Sequence, residues 1–271
     1  MKGRVLIIAG SDSGGGAGIQ ADIKAVTALG GMAMTAITAL TAQNSLGVHG
    51  VHEVPVDFLR QQIAVVLDDL GADAIKTGML HSVPLIEAVS AEIKARAGAG
   101  VPVVVDPVMR AKGGAPLLLP EAEQAFVELM LPLATVLTPN IPEAQALSGL
   151  EAASLDSHRA VAAKLQQAGA RAVLMKGGHL EGPQLVDRLF EAGAKVTQIR
   201  SGRKRQDTMH THGTGCTLAS ATACGLAQGM DLVRAVERAV DYVDGAISRA
   251  PGYGGGHGPI DHGWTMDPKW A

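Results

Sequence analysis

The sequence predicts an α/β fold in which a mostly parallel sheet is covered by helices on both faces. Short apolar runs, several of them rich in β-branched residues, alternate along the chain with segments whose apolar residues recur at helical spacing. Polar or glycine-rich turns follow many of the apolar runs. The 271 residues show no linker and no internal repeat, which predicts a single domain over residues 1–271.

The strands are predicted from short apolar runs that are bounded by turn residues. The run Val-Val-Val at 103–105, ended by Asp-Pro, is typical of a parallel strand buried on both faces. The last two runs look like a hairpin. The predicted strands cover residues 4–10, 33–40, 48–54, 72–78, 101–107, 135–140, 172–178, 184–192 and 195–201.

The helices are predicted from apolar residues that recur every three or four positions. In the last helix one face is lined by Leu232, Val236, Val240, Val243 and Ile247. The predicted helices cover residues 19–29, 57–70, 82–96, about 121–131, a segment from about 142, 156–168, 214–228 and 231–248.

Composition excludes several classes of protein. A net charge of −3 gives no support to nucleic acid as a partner. The two cysteines cannot form a disulfide framework and fit a reducing, cytoplasmic setting. The N-terminus lacks the pattern of a secretory signal. The uncharged stretch 25–52 is broken by Gly30, Gly31, Gln43 and Asn44, so we expect no membrane span.

Polar and glycine-rich segments follow the predicted strands at the edge where a parallel sheet binds its ligands. Because the carboxyl ends of parallel strands meet at one edge, these segments predict one composite active site. They read GSDSGGGAG, TAQNSLG, KTGML, DPVMRAKGG, TPNIPE, KGGH and THGTGC.

The first of these segments, residues 10–22, is a glycine loop between a strand and a helix. Its glycines let backbone N–H groups approach a ligand closely. The loop has no Gly-Lys-Ser/Thr sequence of a Walker A motif, and Ile19 stands where the dinucleotide-binding pattern has its last glycine. The alternative is a plain turn between strand and helix.

Other strand ends carry side chains suited to a nucleotide and a heterocycle. The Gln43 amide can donate and accept at once, as a heterocycle edge demands. Asp106, with Asn140 and Glu143 at a helix start, suits a water-rich Mg²⁺ site with phosphate ligands. Lys176 can neutralise phosphate charge. The alternatives are a loop amide, a first-turn acid that favours the helix dipole, and a solvated lysine.

The segment THGTGC, at 211–216, is the most informative. Gly213 and Gly215 allow a tight turn into a helix that begins near Thr214, whose free N–H groups form an anion hole. In phosphoryl transfer this hole would face the charge that develops on the moving group. We expect a lowered pKa for the Cys216 thiol there. Cys216 then acts as a general base, or it shapes the hole and orients an alcohol.

Other polar residues have a weaker link to function. Cys224 lies eight residues after Cys216 without a CxxC pattern, which favours a role as core filler. We expect His257 and His262 to be structural. The basic run at 200–207 is typical of an exposed loop, and the alternative is contact with a triphosphate.

These segments together resemble the ribokinase superfamily, and within it the bacterial hydroxymethylpyrimidine/phosphomethylpyrimidine kinases of thiamine biosynthesis. The resemblance runs nearly end to end, through IAGSDSGGGAGIQADIK, ITALTAQNSLGVHGV, VVDPVM, LTPNIPEA, MKGGHL and THGTGCTLASA. It implies a ribokinase-like three-layer α/β/α sandwich. It also implies transfer of the γ-phosphoryl of ATP, with Mg²⁺, to 4-amino-5-hydroxymethyl-2-methylpyrimidine and then to its monophosphate. Members of the family are often homodimers.

By the same resemblance, residues can be assigned to each part of the site. Gln43 would pair with the pyrimidine edge. Lys176, with Asn140, would meet the ATP phosphates, and Thr214 and Gly215 would form the anion hole. The pocket would be lined by Gly10, Ala17, Asp22, Thr41, Met79 and Val108.

The sequence departs from the family pattern just before the glycine turn. His210 and His212 stand in a stretch where the family more often has a Lys- or Arg-Asn pair, and they are expected to tune Cys216 or to contact phosphate. A pyridoxal or pyridoxine kinase of the same build is the alternative function, since its substrate is also a flat heterocycle with a hydroxymethyl arm. A non-catalytic pyrimidine-binding regulator is a third alternative.

Overall fold

The computed structural model describes residues 2–98, 100–177, 184–204, 208–266 and 269, and the strands within these ranges form one nine-stranded sheet. The strands are β1 Arg4–Asp12, β2 Met32–Asn44, β3 Gly47–Glu53, β4 Ala74–Thr77, β5 Val103–Val105, β6 Val136–Leu137, β7 Val173–Met175, β8 Gln184–Phe190 and β9 Val196–Lys204.

The strand order is β3-β2-β1-β4-β5-β6-β7-β8-β9. The strands from β2 to β7 in this order pair in parallel, while β3, β8 and β9 pair antiparallel at the two edges. The predicted strands are therefore confirmed, including the hairpin of β8 and β9. The carboxyl ends of β1, β4, β5, β6 and β7 come to one edge of the sheet.

The helices cover both faces, which confirms the three-layer α/β/α sandwich. They are α1 Gly18–Ala28, α2 Val56–Asp69, α3 Val83–Arg96, α4 Glu123–Met130, α5 Ile141–Ser148, α6 Leu155–Gln167, α7 Thr214–Ala227 and α8 Leu232–Ser248. The helix predicted at about 121–131 is shorter, because 3₁₀ turns at Pro120–Ala122 and Leu131–Leu133 flank α4.

Each face of the sheet has its own apolar core, because successive side chains of a strand point to opposite faces. In β1, Leu6 and Ile8 pack with residues of α2 to α6, whereas Val5 and Ile7 pack with residues of α1, α7 and α8. All four side chains are fully buried. Among the described residues, each helix is too short or too polar to cross the hydrocarbon core of a membrane.

Candidate active site

A cleft of about 860 Å³ lies at the carboxyl ends of the parallel strands. This is the position that the fold predicts for a ligand, and the volume is in the range of small-molecule sites. The sequence-predicted residues that line it are Gly10, Ala17, Thr41, Gln43, Met79, Asp106, Val108, Asn140, Glu143, Lys176, Gly213, Thr214, Gly215 and Cys216.

The turn before α7 packs directly against the glycine loop that follows β1. Gly213 has φ +82°, and a Cβ there would overlap the carbonyl oxygen of Gly16. Only glycine satisfies both conditions. The first turn of α7 thus faces the cleft, and its N–H groups before Thr217 have no intrahelical acceptor, although that of Thr214 makes a long 3.4 Å bond to the Thr211 carbonyl. This geometry is that of an anion site.

A lysine and two carboxylates meet beside this helix end. The Nζ atom of Lys176 lies 3.2 Å from Asp106 Oδ1 and 3.9 Å from Glu143 Oε2, and 16% of the lysine side chain is exposed. Burial opposes the lysine charge, but the two carboxylates hold the pKa of Lys176 above its ordinary value. A Cβ on Gly215 would lie 3.3 Å from the same Nζ atom. The lysine is therefore a charged group held by the protein and is not freely solvated.

Glu143 has two roles. With Asn140 it forms a capping box: the Asn140 side chain accepts from the Glu143 N–H at 2.9 Å, and Glu143 Oε2 accepts from the Asn140 N–H at 2.8 Å. The first-turn role that was the alternative is therefore present. Burial, reinforced by the Asp106 charge and opposed by Lys176, raises the pKa of Glu143 to about 7. The carboxylate is one that an additional cation would stabilise.

The oxygen donors here suit a hard cation. Within the described ranges, no three His, Cys, Asp or Glu side chains converge as a metal cluster. Mg²⁺ does not require one, since it keeps several waters and takes one or two carboxylates together with substrate phosphates. Asp106 and Glu143, both next to Lys176, supply such a pair. The residues fit the ion.

The expected lowering of the Cys216 pKa is wrong. Burial raises the pKa of this thiol to about 12, with the Lys76 ammonium opposing the rise and the carboxylates of Asp22 and Asp106 adding to it. A helix N-terminus contributes only about 0.3–1 kcal/mol, which changes a pKa by less than one. Desolvation outweighs that effect, so Cys216 is a neutral thiol in the free protein.

Lys76 and Asp22 form a buried ion pair beneath the cleft, and Lys76 was not singled out from the sequence. Both side chains are fully buried, and Nζ lies 2.8 Å from Asp22 Oδ2. Ser220 donates to the other Asp22 oxygen at 2.6 Å. Asp22 was expected to line the pocket, but the structure places it behind Lys76, which is the member of the pair at the wall. The only sequence signal was a lysine inside an otherwise apolar strand.

A second pair, Asp12 and His212, stands at the other end of the cleft. His212 Nε2 lies 2.8 Å from Asp12 Oδ2 and 3.2 Å from the Gln43 amide. His212 therefore contacts Asp12 and Gln43, and its expected contact with phosphate stays a prediction. Asp12 has no local signal in the sequence, because 200 residues separate it from its partner.

The remaining sequence predictions divide into two groups. Cys224 is buried in the core, and His262 is buried with its Nε2 atom 2.9 Å from Thr217 Oγ1, so their structural roles are confirmed. The side chains of the basic run 200–207 lie outside the described residues. The same holds for residues 178–183 after Lys176.

Comparison with known proteins shows the same architecture. Residues 12–261 match the family model described as phosphomethylpyrimidine kinase. The hydroxymethylpyrimidine/phosphomethylpyrimidine kinase of Streptomyces coelicolor is 49% identical over 97% of this chain and 95% of its own length.

Solved structures agree. The pyridoxal kinase of Staphylococcus aureus in complex with AMP-PCP and pyridoxal superposes with a TM-score of 0.89 at 35% identity, covering 99% of this chain and 96% of its own. The phosphomethylpyrimidine kinase of Clostridium difficile superposes with a TM-score of 0.79 at 39% identity, and the match covers 91% of this chain and 100% of its own. The fold is ribokinase-like, as the resemblance implied, and the chain belongs to the phosphomethylpyrimidine kinase family.

Proposed function

We propose that this chain transfers the γ-phosphoryl group of ATP to the hydroxymethyl arm of 4-amino-5-hydroxymethyl-2-methylpyrimidine and then phosphorylates the monophosphate to the diphosphate. One observation carries the proposal. A single cleft is lined at one end by an amide and apolar side chains, Gln43, Met79 and Val108, and at the other by Lys176 and the start of α7. The two ends suit a flat heterocycle and a polyphosphate. The Streptomyces coelicolor relative is named as a kinase of hydroxymethylpyrimidine and phosphomethylpyrimidine, which supports this substrate.

Each end performs a separate task. The Gln43 amide and the apolar walls hold the ring, so that the hydroxymethyl oxygen points along the cleft. Lys176 neutralises charge on the phosphate oxygens, and the N–H groups of Thr214 and Gly215 at the start of α7 face the charge that develops during transfer. The S. aureus neighbour, in complex with AMP-PCP and pyridoxal, supports this two-ligand arrangement.

Asp106, Asn140 and Glu143 would hold Mg²⁺ together with the ATP phosphates. When bound, the ion would supply positive charge that offsets the charge of the ATP phosphates. Asn140 Oδ1 and Glu143 Oε2 are engaged in the capping box, and the Met109 backbone N–H also bonds to the Glu143 carboxylate, so these two residues would reach the ion through its waters and Asp106 would be a direct ligand.

No side chain is required to remove a proton. The alcohol is a weak acid, but a loose transition state needs little help from a base, and the proton leaves late to a phosphoryl oxygen or to water. The second step attacks with a phosphate oxygen that is already anionic. Cys216, a neutral thiol, lines the anion hole and contacts the reacting groups without accepting the proton.

Two further expectations belong to this proposal. Both cysteines are free, which fits a reducing compartment and a cytoplasmic enzyme. A homodimer is expected from the resemblance, and sedimentation velocity at micromolar concentration measures it.

The test is an ADP-release assay with ATP and Mg²⁺, followed by mass analysis of the products, with hydroxymethylpyrimidine and pyridoxal offered side by side. Sequential formation of the pyrimidine monophosphate and diphosphate is expected, and Lys176→Met is the inactive control. Turnover of pyridoxal alone transfers the assignment to pyridoxal kinase, which the S. aureus neighbour represents. Binding without turnover of either compound identifies a regulator.

A further inference from the structure

We propose that Asp12 and His212 are positioning residues that fix the orientation of the Gln43 amide and thereby decide which donor and acceptor pattern the cleft accepts on a heterocycle. The inference deepens the proposed function and rests on it. It follows from counting protons among four neighbouring side chains at the pyrimidine end of the cleft, Asp12, His212, Gln43 and Thr41.

Asp12 is an ionised acceptor. It is 3% exposed, and its two carboxylate oxygens accept the backbone N–H groups of Gly14 at 2.8 Å, Gly16 at 3.1 Å and Ala17 at 2.8 Å. Burial disfavours the charge, but the His212 hydrogen bond and these N–H groups hold the pKa of Asp12 below its ordinary value. A carboxylate in this state has no proton to donate.

His212 must therefore supply the proton of the 2.8 Å contact between its Nε2 atom and Asp12 Oδ2. The His212 backbone N–H donates to the Gly258 carbonyl at 3.1 Å, which holds the main chain here, and the ring edge packs against Gly16. With Nε2 protonated, the same atom cannot accept a hydrogen bond from the Gln43 amide, which lies 3.2 Å away.

Thr41, on the other side of the Gln43 amide, also restricts how that amide is oriented. Its hydroxyl has one proton, and that proton is donated to the Ser11 carbonyl at 3.0 Å. Thr41 Oγ1 also lies 3.1 Å from Gln43 Oε1, and the hydroxyl has no second proton to donate there, so two acceptors face each other unless the amide is turned.

Only one orientation of the Gln43 amide satisfies both neighbours. Placing the amide nitrogen toward His212 and the oxygen toward Thr41 sets two N–H groups against each other and asks the threonine for a second proton. Amide nitrogen and oxygen have nearly the same shape, so their partners decide which is which. The oxygen therefore faces His212, where it shares the single Nε2–H with the nearer Asp12 carboxylate, and the nitrogen donates to Thr41 Oγ1.

This orientation leaves Gln43 with one N–H and one oxygen lone pair for a ligand. Side by side, they match a ring nitrogen next to an exocyclic amine, as in a 4-aminopyrimidine. They do not match a ring N–H next to an oxo group, as in a 4-oxopyrimidine. There a donor would face a donor or an acceptor would face an acceptor at each position. The hydroxymethyl arm must point to Lys176, so the ring cannot turn over to escape the mismatch.

The experiment measures kcat and KM for 4-amino-5-hydroxymethyl-2-methylpyrimidine and for its 4-oxo analogue. The wild-type protein is compared with His212→Met and His212→Gln, which have similar volumes. We expect wild type to prefer the amino compound by about 100-fold or more in kcat/KM, since a site built for specific hydrogen bonds rejects a mismatched partner strongly. In His212→Met the amide can turn, and the preference should fall at least about tenfold, mainly through KM.

His212→Gln should retain the preference, because its side-chain amide has two N–H groups, one for Asp12 and one for Gln43. Thr41→Val, nearly equal in shape, removes the acceptor on the other side and should also lower the preference. Melting temperatures establish that each variant is folded.

An unchanged preference in folded His212→Met overturns the inference, and so does a preference lost equally in His212→Met and His212→Gln. If His212→Met does not fold, Thr41→Val decides: an unchanged ratio overturns the inference and a lowered ratio supports it. A wild-type protein that turns over neither pyrimidine contradicts the proposed function itself, which is a different result from a kinase whose preference ignores His212.

Discussion

Cys216→Ala is the substitution that best separates a base from a lining residue. With a pKa of about 12, the thiol is ionised in roughly 3 of 10⁵ molecules at pH 7.5, which corresponds to about 6 kcal/mol for forming the thiolate. A general base contributes typically about 10²–10⁴-fold to a rate, and a group this rarely ionised cannot supply it. Bound phosphates add negative charge and raise the thiol pKa further. We therefore expect Cys216→Ala to change kcat by less than about tenfold.

The assay supplies hydroxymethylpyrimidine and its monophosphate separately and measures kcat for each step between pH 6 and 9. Both steps should decline to the same extent, without a change in the shape of the pH profile. Cys224→Ala is the matched control, since it makes the same substitution at a cysteine buried in the core away from the cleft, and both rates should be unchanged. A loss of about 100-fold confined to the first step, with a thiolate absorbance that titrates near neutral pH, would refute the reasoning.

The remaining predictions concern stability. Lys76→Met leaves the Asp22 charge buried without its partner and should lower the free energy of unfolding by about 3–5 kcal/mol in urea, whereas a loss under 1 kcal/mol contradicts the buried pair. Burial lowers the pKa of His262 to about 4, so between about pH 6.5 and 4 the unfolded chain binds the extra proton and stability falls as the pH drops. Between pH 6.5 and 5 the free energy of unfolding should fall by about 2 kcal/mol for this reason. In His262→Gln the dependence of that free energy on pH should correspond to the uptake of one proton fewer. Gly213→Ala should abolish turnover and destabilise more than Gly229→Ala, which has a similar φ of +83° but open space around it; equal effects would show that the overlap at Gly213 is relieved without cost.

The fold could be predicted from the sequence because its signals are local. The β-branched run 103–105 and the helical spacing in α8 each identify their own element, and alternation of strands and helices implies a parallel sheet. The site edge follows from that topology. The positions of Lys176, Glu143 and the glycine turn at Gly213 could therefore be predicted from the sequence alone.

What could not be predicted depends on contacts across the chain. The pairing of Asp12 with His212 has no local signal, and nothing in the strand pattern shows that Lys76 meets Asp22 beneath the cleft. The thiol of Cys216 was misjudged because the helix end is visible in the sequence, whereas its burial is not. Burial is a property of the assembled protein, and here it is the larger effect.

The late position of α7 and α8 in the chain has a consequence for biosynthesis. Strands β1, β2 and β4 are complete by Thr77, but the sheet face that presents Val5 and Ile7 is covered by α1 together with α7 and α8, the last helices to be made. During translation α1 alone covers part of that apolar face until the end of the chain emerges, and the apolar surface that stays exposed favours aggregation. A chain interrupted before Gly213 is therefore a substrate for chaperones and proteases, and not a slower enzyme.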